Sequence, residues 1–212
     1  TIVRQVEDIR RMVDEFSRFA RMPKPVMAPE DVIETVRQTV FLMRVGHPEI
    51  AIEADMPEEA MRCRFDRRLL AQALTNIIKN ATEGIAARGG EEMPADGRIR
   101  VVGSATASHY VVDVIDNGIG LPKENRRRLL EPYMTTREKG TGLGLAIVRK
   151  ILEDHGGSID LLDAPDVAGG GCGAMVRLSI ARQDHEQAEL AGESVPAEAG
   201  AEASPERQAD GV

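Results

Sequence analysis

The sequence predicts an α+β fold: a two-layer sandwich in which helices cover one face of a mixed β-sheet, preceded by a single coiled-coil-like helix. Three observations lead to this prediction. Apolar residues recur at helical spacing over residues 1–21, 30–44, 66–87 and 143–154. Shorter segments between these helices alternate or run apolar, as is typical of strands and hairpins. Two glycine-rich turns stand beside predicted elements, where the backbone can approach a ligand.

Proline, glycine and an N-cap residue bound the first elements. Residues 22–29 contain three prolines and predict an extended linker. The helix over residues 30–44 stops at Gly46, and Asp66 is a good N-cap for the next helix, which runs to about residue 87. Two strands are expected between these helices, at residues 50–54 and 61–65.

The second half of the chain alternates strands with turns. A hairpin is predicted over residues 98–104 and 109–115, followed by a short basic helix that ends at Leu130. The motif His155-Gly-Gly157 ends the helix over residues 143–154. The closing strands are expected at residues 158–162 and 174–180.

Two flanking segments differ from this main domain. Residues 1–21 carry apolar residues at spacings of four and three. This seam either packs on its own domain or, as we favour, is half of a helical hairpin that dimerises. In residues 183–212 Glu, Ala, Pro and Gln dominate and apolar periodicity stops, which predicts a disordered acidic tail. The predicted segments are therefore 1–21, 22–29, 30–182 and 183–212.

The composition limits the classes of function. Of 212 residues 42% are hydrophobic and 3% aromatic, which suits one aliphatic core. A net charge of −8 argues against general nucleic-acid binding. No run approaches the roughly 20 apolar residues of a membrane span, and two cysteines favour a reducing compartment. We therefore expect a cytoplasmic location, no nucleic-acid partner and no membrane contact by this chain.

Two asparagines share one face of the helix that Asp66 caps. Asn76 and Asn80 stand four residues apart beside an apolar stripe. Alone, they would be interpreted as amides of a core hydrogen-bond network. A carboxamide oxygen is also a neutral, hard ligand that suits Mg²⁺ bound to phosphate oxygens. Because glycine-rich turns follow in the chain, we favour the interpretation that these asparagines belong to a Mg²⁺ site.

The glycine-rich turns lie at the two ends of residues 116–146. Asp116-Asn-Gly-Ile-Gly-Leu-Pro122 opens this stretch, and its carboxylate either accepts a hydrogen bond from the amine of adenine or forms an Asx turn. Gly140-Thr-Gly-Leu-Gly-Leu-Ala146 leads into a helix whose first N–H groups attract phosphates. The sequence contains no P-loop motif, and this second run lacks the third glycine of a dinucleotide fingerprint.

Four motifs, in order and spacing, resemble the N, G1, F and G2 boxes of bacterial two-component sensor histidine kinases. They are Asn76-Ile-Ile-Lys-Asn80-Ala, Asp116-Asn-Gly-Ile-Gly-Leu, Glu131-Pro-Tyr-Met-Thr-Thr136 and Gly140-Thr-Gly-Leu-Gly-Leu-Ala-Ile-Val148. The resemblance covers about residues 1–181 and implies a catalytic ATP-binding domain of the GHKL class with a Bergerat-type fold. The first helix and the linker look most like nitrogen-regulation kinases of the NtrY type.

The resemblance implies ATP and Mg²⁺ as ligands and gives each site residue a role. Asn80 would bind Mg²⁺, Asn76 would support the phosphates, and Asp116 would bind the adenine amine. A mobile lid would run from Tyr133 to Lys139. Its Arg137 and Lys139 side chains would contact the γ-phosphate. Ala174 stands where the family frequently has Thr, and Glu83 where many relatives have Lys. The implied ATP-binding set is Asn76, Asn80, Asp116, Gly118, Gly120, Tyr133, Arg137, Lys139, Gly140, Thr141, Gly142, Leu143 and Gly144.

No histidine in the sequence has the His-Glu-x-x-Asn-Pro surroundings of the family's phosphoacceptor. We therefore expect no catalytic residue in this chain, with residues 1–21 as the second hairpin helix and the acceptor helix upstream. The resemblance implies three partners: that acceptor helix, a response regulator, and a second copy through residues 1–21. It also implies the cytoplasmic portion of a membrane-anchored sensor.

Two other functions stay open on the sequence alone. The first is an ATPase of the gyrase and chaperone type, in which a Glu one turn before the metal-binding Asn activates water. Asn76 occupies that position here and is a poor general base. The second is a non-catalytic module that binds nucleotide and dimerises through residues 1–21.

Overall fold

The structure, a computed structural model, describes residues 21–90, 92–135, 140–165 and 173–182. It also describes five helical residues nearer the start: Val6, Arg10, Val13, Phe16 and Ser17. The chain divides into two units, Thr1–Arg182 and Gln183–Val212. The predicted acidic tail, and Arg137 and Lys139 of the predicted lid, lie outside the described residues.

From residue 21 onward the described chain forms α-helices, strands and one 3₁₀ helix. In chain order they are β1 Ala28–Asp31, α1 Val32–Gly46, β2 Ala51–Asp55, β3 Arg62–Phe65, α2 Arg67–Gly89, β4 Arg98–Ala105, β5 His109–Asp116, the 3₁₀ helix Arg126–Leu130, α3 Gly144–Asp154, β6 Ser158–Asp163 and β7 Ala174–Ala181. The predicted strands and helices of the main domain are therefore present, with ends that differ by one or two residues.

The main sheet has five strands in the order β2-β4-β5-β7-β6. Strands β2 and β4 run parallel, and the other neighbouring pairs are antiparallel. Helix α2 contacts β4 and β5, and α3 contacts β6 and β7. The predicted α+β sandwich with a mixed sheet is confirmed.

A second, two-stranded sheet lies before α2. Strand β1 pairs antiparallel with β3, so that Ala28 lies opposite Phe65 and Asp31 opposite Arg62. The linker was expected to extend through Pro29, but Ala28 and Pro29 already belong to β1. A strand that lies at a sheet edge tolerates a proline, which has no N–H to donate. Local proline content could not reveal this pairing.

Side-chain caps define the starts of the first two helices. The Asp31 side chain accepts a hydrogen bond from the backbone N–H of Ile33, so α1 begins two residues later than predicted. Asp66 accepts from the N–H of Leu69, which confirms its predicted role as N-cap of α2. Each such cap typically stabilises a helix by about 1 kcal/mol.

The core between the helices and the sheet is aliphatic, as the composition indicates. Helix α2 contributes Leu74, Ile77 and Ile78, and strand β5 contributes Val112 and Val114, all at most 1% exposed. Full burial of such a side chain contributes roughly 1.5–3 kcal/mol. None of the helices in the described part of the chain is long and apolar enough to span a membrane.

Candidate nucleotide-binding site

The two predicted asparagines meet the start of α3. The Asn76 amide nitrogen donates to the carbonyl oxygen of Gly144 at 3.5 Å. A methyl group on Gly144 would lie 3.9 Å from the Asn80 amide nitrogen and 4.0 Å from its oxygen. Folding therefore brings together three members of the predicted ATP-binding set from two motifs.

The first turn of α3 has the properties of an anion site. Its N-cap, Leu143, makes no side-chain cap hydrogen bond, and the turn contains no acidic residue. The hydroxyl of Thr141 accepts from the Leu143 N–H at 3.5 Å. The first N–H groups of a helix carry the positive end of its dipole and attract phosphate. Asn76 and Asn80 lie beside this turn, so the predicted amides and the helix start are close together.

The start of the predicted lid is bonded to the second glycine turn. The Tyr133 N–H donates to the carbonyl of Gly142 at 3.0 Å. Gly142 has a φ of +69°, and a Cβ there would lie 2.6 Å from the Tyr133 carbonyl carbon. Only glycine satisfies both conditions without displacing Tyr133. The segment between them therefore begins and ends beside the first turn of α3.

Tyr133 also contacts the helix near the start of the chain. Its ring centroid lies 6.2 Å from that of Phe16, with the ring planes tilted by 30°. Tyr133 itself has a φ of +67°, which a non-glycine residue adopts only at a cost. Its ring packs against Phe16, and its place in the ATP-binding set stays a prediction.

Asp116 ends strand β5 on the helix-covered face, and its side chain is buried. One carboxylate oxygen accepts from the N–H of Gly118 at 2.8 Å and from the N–H of Ala174 at 3.4 Å. The first of these bonds is the Asx turn that was the alternative interpretation of Asp116. The turn is present and holds the carboxylate in place. The adenine contact stays a prediction.

Gly118 lies close to α2, and its role in shaping the adenine wall stays a prediction. A Cβ at Gly118 would lie 2.5 Å from the carbonyl carbon of Gly84, and the N–H of Ile119 donates to the Gly84 oxygen at 3.1 Å. Gly84 was missed from the sequence, although an isolated glycine inside a helical pattern often signals close packing. Gly84 lies one turn after Asn80 in α2. Its contact with Gly118 therefore fixes the turn that follows Asp116 against the helix that carries both asparagines. Gly120 has a φ of +77°, as a turn requires.

The donor set agrees with a metal that arrives with its nucleotide. Within the described ranges no group of three or more His, Cys, Asp or Glu side chains could hold a metal ion. Mg²⁺ typically retains waters and binds through one or two protein oxygens plus substrate phosphates. The Asn80 amide beside the first turn of α3 fits that arrangement.

Residues 65–183 match the family model of the histidine kinase-, DNA gyrase B- and HSP90-like ATPases. The match covers more than half of the chain and includes every residue of the site described above. The chain belongs to this family.

Known relatives narrow the type within the family. Nitrogen regulation protein NtrY of Azorhizobium caulinodans is 61% identical over 184 residues, which are 85% of this chain and 23% of that protein. ShkA, solved in complex with AMPPNP, is 26% identical with a TM-score of 0.64, and the match covers 85% of this chain and 37% of ShkA. Histidine kinase ThkA, solved in complex with response regulator protein TrrA, shares the fold at 22% identity and a TM-score of 0.66, over 85% of this chain and 49% of that one. The chain is thus an ATPase domain of the histidine-kinase type, which confirms the interpretation of the four motifs, and it spans about a quarter of the length of NtrY.

Proposed function

We propose that this domain binds Mg-ATP and positions the γ-phosphoryl group for transfer to a histidine on another segment. The observation that carries the proposal is the meeting of Asn76 and Asn80 with the first turn of α3 at Gly144. The transfer would belong to a two-component pathway. The NtrY relative suggests that this pathway regulates nitrogen metabolism.

Each part of the site would have a separate task. Mg²⁺, when bound, neutralises charge on the phosphates. Asn80 would supply an amide oxygen to the ion, and the N–H groups at the start of α3 would hold the phosphates. Asp116 would accept a hydrogen bond from the adenine amine. Arg137 and Lys139, predicted in the lid, would contact the γ-phosphate.

Hydrolysis of ATP by water is the second candidate, and the residue facing Gly144 disfavours it. An activating base must accept a proton, and the Asn76 amide is a poor base. Its nitrogen donates to the Gly144 carbonyl, so its position is that of a support for the helix start. Release of free phosphate would therefore be slow compared with transfer to a histidine.

The proposed partners follow from the kinase assignment. ThkA was solved with a response regulator, which supports a response regulator as the downstream partner of this protein too. The helix that carries the acceptor histidine would be the direct substrate. The use of ATP fits a cytoplasmic location. Dimerisation through residues 1–21 is supported by Val6 and Val13, which are 59% and 55% exposed.

A transfer experiment tests the proposal. The chain is incubated with γ-labelled ATP, Mg²⁺ and a separate peptide that carries the acceptor hairpin helix of an NtrY-type kinase. We expect label on the peptide histidine, and a peptide with His→Ala is the matched control. Label released only as free phosphate would support the ATPase instead. Nucleotide binding with neither product would support a non-catalytic, dimerising module.

A further inference from the structure

His155 directly follows α3 and is 5% exposed. Its Nε2 accepts a hydrogen bond from the backbone N–H of Asp66 at 2.9 Å, and its Nδ1 lies 2.6 Å from the carbonyl oxygen of Ile151. Because the Asp66 N–H can only donate, Nε2 carries no proton, and the proton on Nδ1 is donated to Ile151. Both ring nitrogens are therefore used, in one neutral tautomer.

Asp66 connects this histidine to two other segments. One carboxylate oxygen caps α2 at the N–H of Leu69, 3.1 Å away, and the other accepts from the N–H of Val26 in the linker at 3.0 Å. Asp66 is itself only 5% exposed. The end of α3, the start of α2 and the linker thus meet at one pair of side chains.

Helix α3 is bonded to α2 near both of its own ends. His155 bonds Asp66 at one end, and Asn76 bonds Gly144 at the other. The two contacts are separated by ten residues along α2 and by eleven along α3, which is about 15 and 16 Å at 1.5 Å per residue. Helix α3 therefore runs antiparallel to the first half of α2, and the histidine bond is one of the two hydrogen bonds that fix its position along α2.

The Asp66 N–H also explains why a histidine rather than an apolar residue stands here. An N-cap residue lies before the first helical turn, so its own N–H has no helical carbonyl to bond. A buried N–H without an acceptor is costly. An apolar side chain at position 155 would leave this N–H without the acceptor that His155 supplies. Helix α3 would then lose one of the two hydrogen bonds that fix its position on α2.

We propose that His155 is a positioning residue for phosphate binding, which holds the first turn of α3 in register with Asn76 and Asn80 through its bond to Asp66. This inference rests on the proposed function, since the register matters only if phosphates bind between these groups. It has a specific consequence. Asp116 lies on β5 and not on α3, so recognition of the base is independent of the register.

The test measures the affinity of the full-length chain for Mg-ATP and for adenosine, which lacks phosphates. His155→Gln keeps an acceptor near the position of Nε2, His155→Asn keeps only the donor to Ile151, and His155→Leu keeps neither. We expect the His155→Leu and His155→Asn variants to bind Mg-ATP about tenfold more weakly than the wild type, which is the effect of losing one hydrogen bond. Gln should stay within about threefold of the wild type. Adenosine affinity, followed by NMR titration, should be unchanged in all three variants.

The partly exposed His109→Leu, at the start of the central strand β5, is the matched control and should bind both ligands normally. Equal losses for Mg-ATP and adenosine, or a Gln variant as weak as Leu, would overturn the inference. Unchanged Mg-ATP binding in the Leu and Asn variants would overturn it too. If His155→Leu does not fold, the comparison of Gln with Asn decides. A wild-type chain that binds no Mg-ATP would instead remove the proposed function itself.

Discussion

Three buried aspartates show how the partners of a residue reveal its role. Burial of a carboxylate is costly unless partners compensate the charge. Asp113 lies on the sheet face without helices and receives two bonds of 2.8 Å from Arg177, and this hydrogen bonding raises the pKa of Arg177. Asp66 receives backbone N–H groups and caps a helix. Asp116 receives N–H groups from its own turn and from β7, and it lies in the motif that resembles a nucleotide site.

The first prediction concerns Asp116. Asp116→Asn keeps an oxygen for the N–H of Gly118 but replaces the carboxylate by an amide, so the adenine amine loses a charged acceptor. We expect ATP affinity to fall by about ten- to a hundredfold, the usual effect of losing a hydrogen bond to a charged group. Isothermal titration calorimetry measures it. Asp160→Asn makes the same change at an exposed site on the outer strand β6 and should bind ATP normally. An unchanged affinity in Asp116→Asn would remove Asp116 from the site.

The second prediction is a pH dependence at Asp66. Burial alone raises the pKa of its carboxyl, but hydrogen bonds from the N–H groups of Val26 and Leu69 and the charge of Arg68 together hold the pKa below its ordinary value. A lowered pKa stabilises the fold above the unfolded pKa of about 3.9, and this contribution is lost as the pH falls through the folded pKa.

Asp66→Asn removes this contribution because the amide does not ionise. Its NH₂ group also replaces one acceptor oxygen, so one of the two backbone N–H groups meets another donor. We expect the free energy of unfolding to fall by about 1–3 kcal/mol at pH 7, as for the loss of a hydrogen bond that leaves a buried N–H without an acceptor. The difference from the wild type should shrink below about pH 4, because the carboxyl of the unfolded chain begins to protonate there while the native carboxyl is still ionised. Urea denaturation at pH 7 and pH 3.5 measures both values. A difference that is equal at the two pH values would contradict the assignment of the lowered pKa.

At the scale of elements, close backbone contacts join the motifs. Gly118 in the first glycine turn lies on Gly84 of α2, and Gly142 in the second lies on Tyr133 at the start of the predicted lid. These contacts leave no room for a side chain. They hold the Asp116 turn and the first turn of α3 at fixed distances from α2 and from the lid.

The third prediction tests the first of these contacts. In Gly118→Ala the new methyl group would lie 2.5 Å from the Gly84 carbonyl carbon, so the backbone of the turn must move. We expect a loss of stability of about 1–3 kcal/mol, as for other overpacked positions, and weaker ATP binding because Asp116 moves with its turn.

The control is Gly46→Ala at the end of α1, where a Cβ would meet no atom within 4 Å. Alanine is the better helix former, so this variant should be as stable as the wild type or slightly more stable. Thermal unfolding and nucleotide titration follow both variants. Normal ATP affinity in a folded Gly118→Ala protein would show that the contact does not position the site.

At the scale of the whole molecule, one face of the sheet carries the helices and the site, and the other carries paired charges such as Arg100 with Asp55. The helical residues near the start of the chain leave apolar side chains exposed. Val6, Val13 and Phe16 are each at least 46% exposed. The Phe16–Tyr133 ring contact also connects that helix to the start of the predicted lid.

The fourth prediction concerns dimerisation through this apolar seam. Val13→Lys places a charge on the seam, and we expect it to raise the dimer dissociation constant by about tenfold or more, since buried unpaired charge is costly. Analytical ultracentrifugation measures the dissociation constant. Val26→Lys makes the same substitution at a linker side chain that is 73% exposed, and it should leave the constant unchanged. Equal dissociation constants in wild type and Val13→Lys would exclude the seam as the dimer interface.

The elements of the main domain could be predicted from the sequence because their signals are local. Asp66 caps a helix through an N–H three residues away, and Gly46 and His155 stand where helices end. The sheet pairings could not all be predicted in the same way. Strand β1 had looked like linker, because what makes it a strand is the edge of β3, more than thirty residues away in sequence.

The candidate site shows the same difference between local signals and long-range contacts. The sequence by itself determined the kinds and order of the site groups, since Asn76, Asn80, Asp116 and the glycine turns form motifs that are read within a few residues. Only the tertiary structure decided how they meet: Asn76 on Gly144 across 68 residues, and His155 on Asp66 across 89. Such contacts depend on how helices pack and on which distant group satisfies a buried N–H, and no local pattern names that group.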